Sequence, residues 1–233
     1  MRNLIVSIIL LLNGFAYSQS KDPDLILKKV IESFSKIKDY EVDVNIKVDV
    51  DFIKVPDTKA KIYFKQPDKI HFESDGFAMI PKEGINFFPL SFLKKDYTAL
   101  YQKEDYIENH PVSVIKVIPY SEKGDIVLTT LWVDQLQNII RKVESTTRTN
   151  GTFTIDLKYD EDKKNYYLPI SMVFGFNIDK MNISKAFTGQ AETESLKNIG
   201  RSTSGKVYIT YSNYKVNKGL SDKIFEKKKN NKK

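Results

Sequence analysis

The chain has 233 residues, 41% hydrophobic and 29% charged, the balance of a folded globular protein long enough to bury a substantial core. It contains no cysteine and only two histidines, which excludes thiol catalysis, zinc ribbons, iron–sulfur sites and a lipid-modified N-terminal cysteine. The net charge of +7 does not mark a nucleic-acid surface, because the last eight residues, 226–233, alone hold five lysines against one glutamate.

The first eighteen residues read as an export signal. Arg2 precedes the apolar run Leu4 to Phe15, too short to span a bilayer, and Ala16 and Ser18 put small residues where a signal peptidase reads, so cleavage is expected after Ser18. The expected organisation is a signal peptide over 1–18, one domain over 19–225 and a basic tail over 226–233. The tail reads as a solvated, frayed terminus or as a segment drawn to anionic lipid head groups.

One helix comes first in the mature chain. Asp22 suits its N-cap, Pro23 its first position and Asp24 its positive end. Ile26, Leu27, Val30, Ile31, Phe34 and Ile37 form an apolar stripe opposite Lys28, Lys29, Glu32 and Lys36. Strands follow. Tyr40 to Phe52 alternates apolar and polar residues over thirteen positions, the pattern of a long strand with one face in water. The alternation continues in Ala60, Ile62 and Phe64 and, past a Gln66-Pro67-Asp68 turn, in Ile70 and Phe72. Further strands are predicted over Tyr97 to Ile107, Val112 to Ile118, Ile126 to Val133, Ile139 to Thr149, Phe153 to Tyr159, Tyr167 to Phe176 and Val207 to Val216. Asn150-Gly151 reads as a two-residue hairpin turn.

About ten sequential strands with short connections imply an antiparallel meander. One helix cannot cover so large an apolar face, so the sheet must curl around it and be closed by a second apolar segment or left partly empty. The candidate cover is Phe77 to Leu93, rich in Phe and Met but broken by Pro81, Gly84 and Pro89. It reads as an irregular plug of the core or as a greasy lid. Asp179 to Gly200 reads as a long polar connection.

Catalytic constellations are missing from the sequence: there is no G-x-S-x-G elbow, no phosphate-cradling glycine loop and no H-E-x-x-H. Glu73 and Asp75 read as solvent-facing charges. His71 is turned outward between Ile70 and Phe72, and His110 stands isolated at a turn before Pro111. Asp160, Glu161 and Asp162 lack calcium-loop spacing. Neither an enzyme nor a metal or other cofactor is expected. An apolar concavity without polar machinery suits a hydrophobic ligand, since each acyl methylene taken out of water gains about 0.8 kcal/mol.

Several segments carry a resemblance. The first helix runs into Tyr40 to Phe52, followed by Ile62 to Ser74 (IYFKQPDKIHFES), Leu131 to Tyr159 with Trp132-Val133-Asp134 before its turn, and Ile209 to Phe225 with Asn217 and Phe225. In that order they resemble the LolA/LolB superfamily of periplasmic lipoprotein carriers, especially the outer-membrane lipoprotein-sorting proteins of LolA type, over nearly the whole mature chain. The resemblance implies a mainly β fold with helices (α+β): a curled antiparallel sheet forming an unclosed β-barrel, with the N-terminal helix and a loop or helix lid on the concave face. It implies a periplasmic, monomeric carrier that takes the acyl chains of lipoproteins from an inner-membrane ABC-type lipoprotein-releasing complex to an outer-membrane acceptor. The implied cavity wall is Val44, Ile46, Val48, Ile62, Phe64, Ile70 and Phe72. The implied lid is Phe77, Met79, Phe87, Phe88 and Leu90. Carriers of the family hold the lid with a strand arginine, where the early strands here offer only Lys47, Lys59, Lys61 and Lys65. The same fold also serves lipid sensors and bulk lipid carriers, whose ligands are other lipids.

Overall fold

The computed structural model describes residues 21–50, 56–74, 93, 96–120, 124–149, 151–160, 168–179 and 202–226. The signal-like 1–18, the five lid residues, the polar connection beyond Asp179 and the tail beyond Glu226 lie outside the described residues.

The expected helix forms as α1, Pro23–Ser35. The Asp22 carboxylate caps it, accepting from the backbone N–H groups of Asp24 at 2.9 Å and Leu25 at 3.2 Å. Ile26, Leu27 and Val30 are buried, and each such side chain contributes about 1.5–3 kcal/mol relative to exposure. Ten strands follow: β1 Asp39–Val50, β2 Thr58–Lys65, β3 Lys69–Ser74, β4 Tyr97–Ile107, β5 His110–Pro119, β6 Ile126–Asp134, β7 Ile139–Thr147, β8 Thr152–Tyr159, β9 Pro169–Asp179 and β10 Ser202–Val216. A short 3-10 helix, Asp222–Phe225, ends the described chain.

All ten strands form one antiparallel sheet in the order β3-β2-β1-β10-β9-β8-β7-β6-β5-β4. The expected meander is therefore interrupted once. Strands β1 to β3 make one meander, β4 to β10 another, and the first and last strands, β1 and β10, join them. The sheet edges are β3 and β4, consecutive in the chain but at opposite ends of the order, so the barrel is unclosed. The chain from Ser74 to Tyr97, which contains the apolar segment 77–93, links these two edges. Because every pairing is antiparallel, connections alternate between the two ends of the sheet. One end holds α1 and the β2–β3, β4–β5, β6–β7 and β8–β9 connections; the rest leave from the far end.

Side-chain amides lock the helix end. Asn217 accepts from the backbone N–H of Lys38 at 2.7 Å and donates to the Lys36 carbonyl at 3.0 Å. Gln66 donates to the carbonyls of Ser35 (3.1 Å) and Ile37 (2.6 Å), groups left without partners where a helix stops. The Asp39 carboxylate accepts from the N–H groups of Lys218 and Gly219. Lys65 donates to the Leu220 carbonyl at 2.8 Å, and Lys65 and Lys69 both pair with Asp222. The helix terminus, the β2–β3 turn and the exit from β10 are thereby one unit.

The β7–β8 hairpin forms, but its turn is wider than the two residues the sequence suggests. The last strand pair is Thr146↔Thr152, and the Thr147 N–H donates to the Gly151 carbonyl at 2.9 Å. Gly151 takes the left-handed conformation, φ +73. The Arg148 N–H donates to the Asp125 carbonyl and the Thr149 hydroxyl to the Asp125 carboxylate in the neighbouring connection.

Candidate functional site

The inner face, which α1 crosses, is mainly apolar, with the hydrogen-bonded hydroxyls of Thr129 and Ser145 buried on β6 and β7. Its buried core runs from Val44, Ile46 and Phe64 through Ile209, Phe174, Ile155, Val143 and Leu131 to Ile115. Strand register places all seven expected wall residues on this face: Val44, Ile46 and Val48 on β1, Ile62 and Phe64 on β2, Ile70 and Phe72 on β3. They are not equivalent. Val44, Ile46 and Phe64 are buried, whereas Val48, Ile62, Ile70 and Phe72 are half-buried at the margin of the core. The seven residues that the resemblance implies as a wall thus lie on one arm of the face. The other arm, from β10 to β5, carries as many apolar residues in the same alternation, a signal present in the sequence but not used to assign a wall.

Two β-bulges shape the helix end of this face. Between Glu41↔Lys215 and Asp43↔Ser212, β10 holds one residue more than β1, and Asn213 there has φ 57. Residues three apart in a regular strand point to opposite faces; the bulge brings Tyr211 and Tyr214 to the same one, where their rings stack at 6.1 Å. Tyr214 meets Tyr40 at 5.8 Å, and Tyr40 lies against Phe64 at 5.1 Å. The Tyr214 hydroxyl donates to the Pro169 carbonyl and that of Tyr159 to the Ile140 carbonyl. Burial pushes the phenols of Tyr40, Tyr159, Tyr211 and Tyr214 well above the ordinary tyrosine range, so they stay neutral hydrogen-bonding groups. The second bulge, at Gln102 of β4, puts Tyr101 and Glu104 in hydrogen-bond contact at 2.7 Å. Glu104 also pairs with Lys21 at 2.7 Å, just before α1. Phe34, at the other end of the helix, packs edge-on against Phe64 at 5.9 Å. Thirteen residues, roughly 20 Å of helix, therefore cross the face from β4 to β2 and close this end.

The far end is aromatic. Phe174 lies 5.6 Å from Phe153 and 5.9 Å from Phe176. Phe176 and Val50 flank Gly205 across the sheet, and a Cβ on Gly205 would stand 2.6 Å from Phe176 Cζ. Glycine lets these two side chains meet over the β10 backbone.

No family model matches the sequence, and no curated protein does. Solved structures match by shape. A candidate outer-membrane lipoprotein-sorting domain from Vibrio parahaemolyticus superposes with a TM-score of 0.58 at 11% identity, covering 88% of this chain and 98% of that one. A DUF1329 family protein from Desulfovibrio piger gives 0.57 at 12% identity, covering 89% and 98%. A LolA superfamily protein from Nitrosomonas europaea gives 0.55 at 14% identity, covering 88% and 97%. The fold is LolA-like.

Within this LolA-like half-barrel the early-strand lysines do not point inward. Lys59, Lys61 and Lys65 alternate with Ala60, Ile62 and Phe64 and so lie on the outer face. Lys61 pairs there with Asp43 at 3.4 Å, and Lys65 is committed to Leu220 and Asp222. Nor is His110 isolated. Its Nδ1 lies 2.9 Å from Arg141 Nη2, and because a guanidinium only donates, that nitrogen accepts and the ring proton sits on Nε2. Arg141 also clamps the wholly buried Asp134 at 2.9 and 2.8 Å, while Asp134 accepts from the turn N–H groups of Leu136 and Gln137. This cluster locks the β6–β7 turn. The nearby Ser113 hydroxyl is buried and donates to Glu104 at 2.9 Å. Among the described residues no three metal-binding side chains converge, and no helix is long and apolar enough to cross a membrane.

Proposed function

We propose that the inner face holds acyl chains and that the protein is an exported, periplasmic carrier sheltering the acyl chains of lipoproteins between the inner and outer membranes. One observation carries this reading: on the β1–β3 arm, apolar side chains that alternation aims at the core remain half-buried at its margin, namely Val48, Ala60, Ile62, Ile70 and Phe72. Apolar surface kept near solvent, with no charged side chain among the described residues on the inner face of that arm, suits a ligand made of methylenes. Ten methylenes moved from water onto it would gain about 8 kcal/mol, which before the cost of ordering the chain corresponds to roughly micromolar affinity.

In this proposal the domain is 19–225, released from the signal peptide 1–18 and followed by the basic tail. An inner-membrane ABC-type complex is the donor and an outer-membrane site the acceptor. The apolar chain that links the two sheet edges supplies the cover. A second reading, a bulk lipid carrier or lipid sensor on the same fold, is favoured by the outward placement of the β2 lysines, two of them already paired, which leaves no cation on the inner face of that strand to latch a cover. Native mass spectrometry separates the two. The mature chain is incubated with a triacylated lipoprotein and, separately, with phospholipid vesicles. A stoichiometric lipoprotein complex, lost on adding acceptor membranes, is expected; capture of phospholipid alone supports the second reading, and binding of neither refutes both.

A further inference from the structure

Gly175 lies inside the sheet, in β9, paired with Thr154 of β8 on one side and Lys206 of β10 on the other. A glycine there weakens the strand, because it adds backbone entropy to the unfolded chain and packs nothing. Gly205 has an internal reason for being glycine, the meeting of Phe176 and Val50 over it. At Gly175 the internal constraint is a single atom: a Cβ there would stand 2.7 Å from the Thr154 hydroxyl oxygen, so the Thr154 side chain would have to turn about its Cα–Cβ bond to admit one. The glycine faces outward and keeps open a space that no neighbour fills. Glycine in a strand interior is expected where a ligand comes close to the backbone.

The space is a shallow groove of about 580 Å³, open to solvent along the outer face of the sheet. Around Gly175 it is lined by Asp49, Thr154, Asn177, Ser204, Lys206 and Tyr208. None of these six side chains makes a hydrogen bond or ion pair among the described residues. Asp49 and Lys206 are cross-strand partners and still do not pair. A groove of equal size on the outer face of β1–β3 is partly committed, with the side chains of Asn45, Lys59 and Ser212 unpaired among the described residues and its other polar side chains engaged. There Asp43 is taken by Lys61 and Asn213, Glu73 by the Tyr63 hydroxyl, and Ser74 donates to the Lys59 carbonyl.

The uncommitted groups are three hydroxyls, an amide, a carboxylate and an ammonium, one hydroxyl being that of Tyr208, whose side chain is 37% exposed. They offer donors and acceptors together, a flat aromatic wall and a floor at backbone level. An anion would face Asp49, and an acyl chain would strip water from six polar groups without replacing it. A pyranose meets both requirements: each hydroxyl donates and accepts, and its C–H face lies flat on an aromatic ring. We propose that this groove is a saccharide-binding site, on the face of the sheet opposite the acyl-binding one and independent of it.

The test is amide NMR of the mature chain, titrated with methyl β-glucopyranoside, N-acetylglucosamine, chitobiose and, as a separate arm, a glycolipid in detergent micelles. Saturable shifts are expected at Thr154, Gly175, Asn177, Lys206 and Tyr208, with Val44 and Phe64 unmoved by the free sugars. Tyr208→Ala, a surface change that leaves the fold intact, should abolish the shifts; Gly175→Val should abolish them by filling the floor. A response to free sugar as well as glycolipid assigns a soluble saccharide, and a response to glycolipid at the same amides alone assigns a lipid-linked one. No shift at these amides with any probe, or shifts undiminished in Tyr208→Ala and Asn177→Ala, overturns the proposal.

Discussion

Phe64 and Phe72 share one face of the β2–β3 hairpin, yet truncating them should have opposite consequences. Phe64 has 0% of its surface exposed and packs against Phe34 at 5.9 Å and Tyr40 at 5.1 Å. Phe64→Ala removes that ring and leaves a cavity where α1 closes the half-barrel, at a cost of about 3–5 kcal/mol. For a domain of this size that is a fall in Tm of roughly 6–20 °C. Phe72 pairs with Ile62 beside the β3 edge and is only half-buried, so Phe72→Ala should cost about 1 kcal/mol. Its effect should fall on the ligand instead. Phe72→Asp would set a carboxylate against acyl methylenes and should abolish binding while the fold survives. Thermal unfolding by circular dichroism, with displacement of a fluorescent fatty acid on each variant, reads both quantities. Folded Phe72→Asp with undiminished fatty-acid binding would remove Phe72 from the wall. A Tm loss in Phe64→Ala no larger than that in Phe72→Ala would refute the packing argument.

Three further expectations concern the scaffold. Asn217→Ala removes both hydrogen bonds to the end of α1 and places alanine at φ 56, so it should lose about 2–4 kcal/mol in denaturant unfolding; Asn217→Gly, which relieves the backbone, should lose about half as much, and equal losses would show that the bonds alone matter. Gly205→Ala forces a methyl against Phe176 and Val50 and should cost about 1–3 kcal/mol by overpacking; a variant of unchanged stability would mean that Phe176 swings away freely. Hydrogen bonds from Lys69 and then Lys65 hold the Asp222 carboxyl below its ordinary range, and a hydrogen bond from Asn213 does the same for Asp43. A lowered folded value means support that is present above the ordinary carboxylate pKa and lost as pH falls through the folded one. Tm should therefore hold from pH 8 to about 5 and fall below about 4, less steeply in Asp222→Asn; an equal acid fall in that variant would exclude Asp222 as a contributor.

Local patterns made most of the fold legible. The Asp22-Pro23 start of α1 and the alternation of Tyr40 to Val50 report directly on caps and faces, and both elements stand where the pattern puts them. Alternation says which side a residue faces but not which strand lies beside it. The closure of β1 onto β10, which makes β3 and β4 the edges, depends on pairs such as Val44↔Tyr211, far apart in the chain. The same holds for the contacts of single polar residues. His110 reads as isolated because Arg141 reaches it only across strands, and Gln66 reads as a turn residue because its helix-end partners lie some thirty positions earlier. The tyrosine cluster was hidden for another reason. A bulge shifts the period, so Tyr211 and Tyr214, three apart, fall on opposite faces in any strict alternation. Gly175 carried no signal either, since a glycine in a strand gains meaning only when its neighbours are known.

The most direct test of the central claim is photo-labelling with a diazirine-bearing fatty acid, followed by peptide mapping of the mature chain. The account predicts adducts on the inner-face arm, in peptides containing Val48, Ile62, Ile70 and Phe72, that are competed away by unlabelled fatty acid. Adducts confined to the outer face, or none in a protein that circular dichroism shows to be folded, would contradict it.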